Sequence, residues 1–157
     1  NVMNELVYRN LSEDAKRQIC AWKYGGEYDL YNLPAYEEMQ VRQIGFMNPQ
    51  REKNYYGFWD ESILVGFVNI LEEKEEVFIG IGVNPDLCNK HYGQRMLLIT
   101  YEISKKLYPN KPLYLEVRTW NIRAVKCYQK AGFRIDGQAY ELTTGIGTGT
   151  FYRMIRE

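Results

Sequence analysis

Residues 76–133 read EVFIGIGVNPDLCNKHYGQRMLLITYEISKKLYPNKPLYLEVRTWNIRAVKCYQKAGF. The apolar run Val77–Val83 predicts a short strand, and a polar turn leads from it into a helix over Gln94–Leu107. A second strand over Leu113–Arg118 precedes another helical segment, which ends before Phe133. Because the helical connection is long, the two strands can run parallel. The stretch therefore predicts a strand-helix-strand-helix unit at the centre of the fold.

The segments on either side of this unit predict further strands and helices. A run of antiparallel strands that passes into a strand-helix-strand-helix unit indicates an α/β (α+β) fold. We expect a mixed central sheet of about six to seven strands with helices on both faces, in one domain over residues 1–157. The other elements are predicted as strands at 6–8, 55–60, 63–71, 134–142 and 150–155 and as helices at 12–22 and 34–48.

The composition excludes several classes of function. The 157 residues carry 20 basic and 20 acidic side chains, so an electrostatic case for binding nucleic acid or an anionic membrane is absent. Three cysteines without a CxxC pair and one histidine predict no metal site of recognisable spacing. The same cysteine pattern fits a reducing cytoplasm. We also expect no membrane span, because no apolar run approaches the roughly 18 residues that a span needs.

The strand over Val77–Val83 has two different faces. Val77 and Ile79 face the expected core, whereas Gly80 and Gly82 share the opposite face with Phe78. Two glycines on one face either leave the backbone open to a ligand or another chain, or mark a bulge or bend.

The polar turn before the first helix is a candidate anion site. It reads CNKHYG over residues 88–93, and the backbone amides of such a turn, with a helix dipole behind them, suit a phosphate. Lys90 adds a positive charge. Every helix has such an end, so the pattern alone is not specific.

The second helical segment carries polar groups at defined positions. Asn121 can cap the helix, and Ala124, Tyr128 and Ala131 lie on one face of it. Tyr128 is either a core aromatic residue whose hydroxyl is satisfied or a functional group.

Together, these features resemble the GNAT superfamily of N-acetyltransferases, and the order of elements does so over essentially the whole chain. Residues 121–133 match the family pattern Asn-x-x-Ala-x-x-x-Tyr-x-x-x-Gly-Phe at every named position. Residues 79–87 resemble the lead-in Ile-Gly-Ile-Gly-x-x-Pro-Asp-Leu of a bacterial branch. In that branch the pyrophosphate loop follows as Thr-Gly-Lys-Gly-Leu-Gly. Here Asn89 and His91 stand where its glycines are usual.

The resemblance implies that acetyl-CoA is the cofactor. Its pantetheine would pair with the backbone of residues 81–83, where the two parallel strands diverge, and its pyrophosphate would lie on the amides of residues 89–94. Asn121 and Tyr128 would lie near the thioester. The implied cofactor-binding residues are Ile81, Gly82, Val83, Asn89, Lys90, His91, Tyr92, Gly93, Gln94, Asn121, Ala124 and Tyr128.

The reaction also needs proton transfers. An amine with a pKa of about 10 must lose a proton before it attacks, which costs about 4 kcal/mol at neutral pH. By resemblance, Tyr128 is the acid that protonates the leaving thiolate. Many relatives carry a glutamate where this chain has Phe78. The base is therefore Glu116, if its side chain faces the cleft, or a relayed water; otherwise Glu116 is a solvated or salt-bridged strand residue.

Aromatic residues mark the candidate acceptor pocket. By resemblance, the first helices cover the acceptor, and this region together with the first core strand supplies Trp22, Tyr24, Tyr28, Tyr31 and Phe78. Aromatic walls suit an amine through cation–π contact or an aromatic acceptor through stacking. Alternatively, these residues pack an irregular loop over the sheet.

Two hypotheses follow for the function. The first is an N-acetyltransferase that acts on a small-molecule amine or a protein amine, with Tyr128 as general acid. The alternative is a catalytically weak acyl-CoA-binding or sensing module on the same fold. A monomer and a homodimer both remain open.

Overall fold

A computed structural model describes residues 4–157 as eight strands and four α-helices. The helices are α1 (Glu13–Ala21), α2 (Tyr36–Arg42), α3 (Tyr92–Leu107) and α4 (Ile122–Lys130). The strands are β1 (Val7–Asn10), β2 (Tyr55–Asp60), β3 (Ile63–Glu72), β4 (Val77–Val83), β5 (Leu113–Arg118), β6 (Arg134–Ile135), β7 (Tyr140–Thr144) and β8 (Gly147–Arg156). Short 3₁₀ turns lie at Gly26–Tyr31, Gly45–Met47, Glu52–Asn54 and Pro85–Leu87.

The chain forms two compact units. The first contains the described residues up to Asn69 together with Ile81–Tyr92, and the second contains Ile70–Gly80 and Gly93–Glu157. The chain passes between them within β3, within β4 and at the start of α3. The single domain over residues 1–157 stays a prediction.

The first unit is built on antiparallel strands in the order β1-β2-β3. α1 begins where the sequence predicts, because the Ser12 hydroxyl accepts a hydrogen bond from the Ala15 amide at 3.1 Å. Its apolar face buries Ile19 against a cluster that includes Met39 of α2 and Phe46. Burial of this face, rather than helix propensity, holds so short a helix in place.

The predicted helix at 34–48 is wrong in its second half. α2 ends at Arg42 because Gln43 adopts a left-handed conformation, with φ of 52°, and its amide bonds back to Gln40 and Met39. Phe46 still reaches the core, but from a separate 3₁₀ turn. Met39 and Phe46 therefore lie in two separate elements, although their spacing in the sequence is typical of one helix.

The second unit confirms the mixed α/β class. β4 and β5 pair in parallel through Val77↔Leu113 and Phe78↔Tyr114, as the long helical connection predicts. β5 then pairs antiparallel with β8, which also pairs with β6 and β7, so the order is β4-β5-β8-β6. The number of strands in the described chain is eight rather than six to seven because the last strands are divided differently.

The predicted strand at 134–142 is in fact two strands. Gly137, with φ of 78°, separates β6 from β7. β8 begins at Gly147 rather than at Thr150, and the register Thr144↔Gly147 leaves a two-residue turn between β7 and β8. The glycines there permit a tight hairpin, because glycine accepts the positive φ of 113° that Gly147 adopts.

Candidate functional site

In the first unit, the end of β4 lies against the segment that follows α1. The Tyr24 hydroxyl donates a hydrogen bond to the Val83 carbonyl at 2.6 Å. The next residue, Asn84, donates from its backbone amide to the Val65 carbonyl at 2.8 Å and from its side chain to the Leu64 carbonyl at 3.1 Å. The structure therefore brings together two predicted site residues, Tyr24 and Val83, and fixes the backbone just after them.

The side-chain face of Gly82 is covered by an aromatic ring of the same chain. A Cβ placed at Gly82 would lie 2.8 Å from Cζ of Phe67. Phe67 also lies 6.3 Å from the Trp22 ring and 6.1 Å from the Phe46 ring, measured between centroids. The glycine thus makes room for Phe67, and Trp22 packs against the same core cluster.

Replacement of Gly82 by alanine is expected to destabilise the fold by about 1–3 kcal/mol, because the Phe67 ring cannot shift easily among its aromatic neighbours. Chemical denaturation measures this difference. Gly25→Ala is the matched control, because a Cβ at Gly25 meets nothing within 4 Å and φ there is −96°. Equal stability of Gly82→Ala and the wild type would contradict this packing role.

The loop that precedes α3 has the backbone conformation of a glycine loop without its glycines. Asn89 and His91 adopt φ of 65° and 67°, in the left-handed region that Asn and His enter more readily than most side chains. Asn89, Lys90 and His91 are all exposed. The Tyr92 hydroxyl donates to the Asp60 carboxylate at 2.6 Å, which fixes the start of the helix.

The substitutions at the two glycine positions therefore leave the left-handed turns in place. Because the first amides of a helix have no partner inside the helix, the start of α3 has donors that suit an anion. The backbone of this loop is compatible with a bound phosphate group, and Lys90 adds a positive side chain to the loop.

In the second unit, the residues of the 121–133 motif mark both ends of α4. The Asn121 side chain accepts a hydrogen bond from the Ala124 amide at 3.2 Å, which is the predicted cap. Gly132 has φ of 96° and ends the helix, and the Phe133 amide donates to the Tyr128 carbonyl at 3.0 Å. Tyr128 is half-buried on the helix.

Glu116 on β5 is held by a neutral hydrogen-bond donor. The Tyr140 hydroxyl donates to Glu116 Oε2 at 2.5 Å, and burial together with this bond raises the pKa of the phenol. Arg153 lies opposite Glu116 in the β5–β8 register, but it pairs with Glu76 at 3.0 Å and with Asp136 at 3.1 Å. Within the described residues, Glu116 therefore forms no salt bridge, contrary to one of the predicted alternatives.

Phe78, in the second unit, packs beside the same network. Its ring packs edge-to-face against Tyr114, with centroids 5.5 Å apart. The Tyr114 hydroxyl donates to Glu73 at 2.7 Å, and burial followed by this bond raises its pKa. Tyr114 and Tyr140 are absent from the predicted site residues. Tyr114 could have been identified from the sequence, because residues two apart on a strand share one face and Glu116 is a predicted site residue.

The predicted residues divide between the two units. Tyr28 and Tyr31 are half-buried in the 3₁₀ turn of the first unit. The first unit holds Trp22, Tyr24, Tyr28, Tyr31, Ile81, Gly82, Val83, Asn89, Lys90, His91 and Tyr92, and the second holds Phe78, Gly93, Gln94, Glu116, Asn121, Ala124 and Tyr128.

Across residues 4–157, no three His, Cys, Asp or Glu side chains gather where they could hold a metal ion. Among the helices that the structure describes, none is long and apolar enough to cross a membrane.

Comparisons with known proteins agree on one family. Residues 11–133 match the profile described as Acetyltransferase (GNAT) family. No curated protein sequence matches the chain significantly.

Solved structures with the same fold include several acetyltransferases. A chimera of the spermidine N-acetyltransferase SpeG from Vibrio cholerae and hSSAT is 19% identical, with a TM-score of 0.76 over 96% of this chain and 94% of that chain. A GNAT-family acetyltransferase from Bacillus anthracis is 18% identical, with a TM-score of 0.76 over 98% and 95% of the two chains. AAC(6′)-Ib in complex with ribostamycin and coenzyme A is 16% identical, with a TM-score of 0.74 over 98% and 93%. At these identities the likeness is one of fold.

Proposed function

The chain belongs to the acetyltransferase (GNAT) family, and we propose that it transfers an acetyl group from acetyl-CoA to a primary amine. The match over residues 11–133 carries this proposal, because it includes both the loop before α3 and the motif of α4. Members of this family use acetyl-CoA, which supplies the acetyl group as a thioester.

The cofactor would be held mainly by backbone groups. The left-handed turns at Asn89 and His91 support a phosphate site on the amides of residues 89–94, with Lys90 adding charge. The parallel pairing of β4 with β5 stops at Phe78↔Tyr114, before the part of β4 that belongs to the second unit ends at Gly80. This early end of the pairing supports the expected divergence of the two strands. Pantetheine would then use the backbone of residues 81–83.

The residues of the second unit would move the protons. The amine nitrogen would form a bond to the thioester carbon as the carbon–sulfur bond breaks, and Tyr128 would give its hydroxyl proton to the leaving thiolate and regain one from solvent. The proton of the amine goes to a base, for which Glu116 is the candidate. Its hydrogen bond to the Tyr140 phenol supports this role, because the bond positions the carboxylate and no ion pair among the described residues occupies it.

The acceptor would be a small amine. The structural neighbours include spermidine N-acetyltransferases and an enzyme complexed with ribostamycin, which are precedents for amines on this fold. Tyr24, Tyr28 and Tyr31, with Trp22, would supply aromatic contacts. A protein amine is the other acceptor to test.

Two assays in sequence test the proposal. Calorimetry with acetyl-CoA is expected to give heat of binding, and release of free thiol is expected with at least one amine among spermidine, an aminoglycoside and a lysine-containing peptide. The absence of both heat and a thermal shift at millimolar acetyl-CoA would overturn the cofactor assignment. Binding without thiol release would favour the acyl-CoA-binding module, which is supported by Phe78 at the position where many relatives carry a glutamate.

Tyr140→Phe is expected to lower kcat/KM about tenfold, because Glu116 loses the hydrogen bond that positions its carboxylate. Steady-state kinetics with a productive amine measure the loss. Tyr114→Phe is the matched control, because that phenol donates to Glu73 instead of Glu116. The same loss in both variants, or in neither, would argue against Glu116 as the base.

A further inference from the structure

Arg118, the last residue of β5, is a buried cation with no carboxylate partner among the described residues. It is 8% exposed, yet within residues 4–157 no ion pair and no side-chain hydrogen bond involves its guanidinium. Lys16, the other buried basic residue, is 3% exposed and contacts Glu13 at 2.8 Å and Glu52 at 2.7 Å. Because a buried charge normally requires a counter-charge, Arg118 lacks a group that Lys16 has.

The side chain of Arg118 is nevertheless held in one place. Its guanidinium carbon lies 4.8 Å from the centroid of the Phe151 ring, which belongs to its partner residue in the β5–β8 register. A Cβ at Gly149 would overlap Nη1 and come within 3.1 Å of Cζ of Arg118. The absence of a side chain at Gly149 thus makes room for the guanidinium, and ring contact alone is weaker than an ion pair.

The acidic residues on the same part of the sheet are engaged elsewhere. Glu116, two residues back on the same face of β5, accepts from Tyr140. Arg153, which lies opposite Glu116, forms an ion pair with Glu76. The network is therefore satisfied without Arg118.

The charged end of Arg118 is not completely enclosed. The fully enclosed side-chain polar atoms without a partner in the described chain are Asn69 Oδ1 and Ser104 Oγ, and no nitrogen of Arg118 is among them. Since the guanidinium nitrogens have no hydrogen-bond partner among residues 4–157, each of them keeps some exposed area.

We propose that Arg118 binds an anionic group of a ligand, a carboxylate or a phosphate, through its planar set of N–H donors. The guanidinium presents parallel donors that match two oxygens of either group, and Phe151 and Gly149 fix its orientation in advance. This role does not depend on acetyl transfer. The anion belongs to the amine acceptor, to the 3′-phosphate of coenzyme A or to a free ion, and all three use the same chemistry.

The test titrates the wild-type protein and Arg118→Gln with inorganic phosphate, acetate, coenzyme A and 3′-dephospho-coenzyme A. Side-chain NMR signals of arginine Nε–H groups and the melting temperature report binding. We expect at least one probe to bind the wild type about tenfold or more tightly than Arg118→Gln. Arg134→Gln is the matched control, because that arginine is exposed on β6, and it is expected to bind like the wild type.

The pattern of probes identifies the source of the anion. Tighter binding of coenzyme A than of its dephospho form, lost in Arg118→Gln, assigns the 3′-phosphate. Dependence on Arg118 with acetate assigns a carboxylate such as an acceptor would carry, and dependence with inorganic phosphate alone assigns a free ion.

A second variant tests the site with the charge retained. Gly149→Ala is expected to displace the guanidinium and to weaken binding of the same probe, even if Arg118→Gln folds poorly. No response of the wild type to any probe, or equal affinity in the wild type and both variants, would overturn the proposal. Arg118 would then be a structural residue that contacts Phe151.

Discussion

Replacement of Tyr128 by phenylalanine is expected to lower kcat about 100- to 10,000-fold while the Kd for acetyl-CoA stays nearly unchanged. A thiolate whose conjugate acid has a pKa near 8.5 leaves more easily when a positioned acid protonates it. The variant removes only the hydroxyl group that would supply this proton. The phenylalanine ring keeps the half-buried position on α4, so the fold should be retained. Steady-state kinetics with a productive amine and calorimetry with acetyl-CoA measure the two effects separately.

Tyr101→Phe is the control for this variant. Tyr101 lies on α3, and its hydroxyl donates to the carbonyl of Glu157 at 2.8 Å. Loss of that surface hydrogen bond should leave kcat unchanged. Unaltered turnover in Tyr128→Phe would remove Tyr128 from the mechanism, and a parallel loss of kcat and of acetyl-CoA affinity would assign it a binding role instead.

The parts of the fold that the sequence predicted well depend on local chemistry. β2 and β5 have the predicted bounds, because each is a short apolar or alternating run between turn residues. Both ends of α4 follow from one cap residue each, Asn121 and Gly132, whose roles need no distant contact. The same local character explains why residues 121–133 were sufficient to indicate the family.

The parts that the sequence did not predict depend on contacts between distant residues. The Tyr140–Glu116 hydrogen bond joins residues 24 positions apart, on the separate strands β7 and β5. The reason for a glycine at position 82 could not be read from β4 alone, since the ring that covers this glycine belongs to Phe67 of β3. The burial of Arg118 likewise depends on a distant strand, β8, which supplies the Phe151 ring and the space at Gly149.

The loop before α3 leads to the second large effect, which concerns His91. A β-branched residue enters the left-handed region at a cost of about 2 kcal/mol relative to glycine, so His91→Val and His91→Gly differ by about thirtyfold in any equilibrium that requires φ of 67°. We expect most of this difference in the Kd for acetyl-CoA. The exposed loop of His91→Val can relax when no ligand is present, and binding must then restore the turn.

Two measurements separate the ways in which this strain can be expressed. If the loop of His91→Val keeps its conformation without ligand, the strain lowers the free energy of unfolding. If the loop relaxes without ligand, the strain instead weakens the affinity for acetyl-CoA that calorimetry measures. The two losses together should amount to about 2 kcal/mol relative to His91→Gly. Asn89→Gly is the control and should change both by only a few tenths of a kcal/mol, because Asn tolerates positive φ. If His91→Val matched His91→Gly in stability and in affinity, cofactor binding would not require the left-handed turn, and the backbone of this loop would not be the phosphate site.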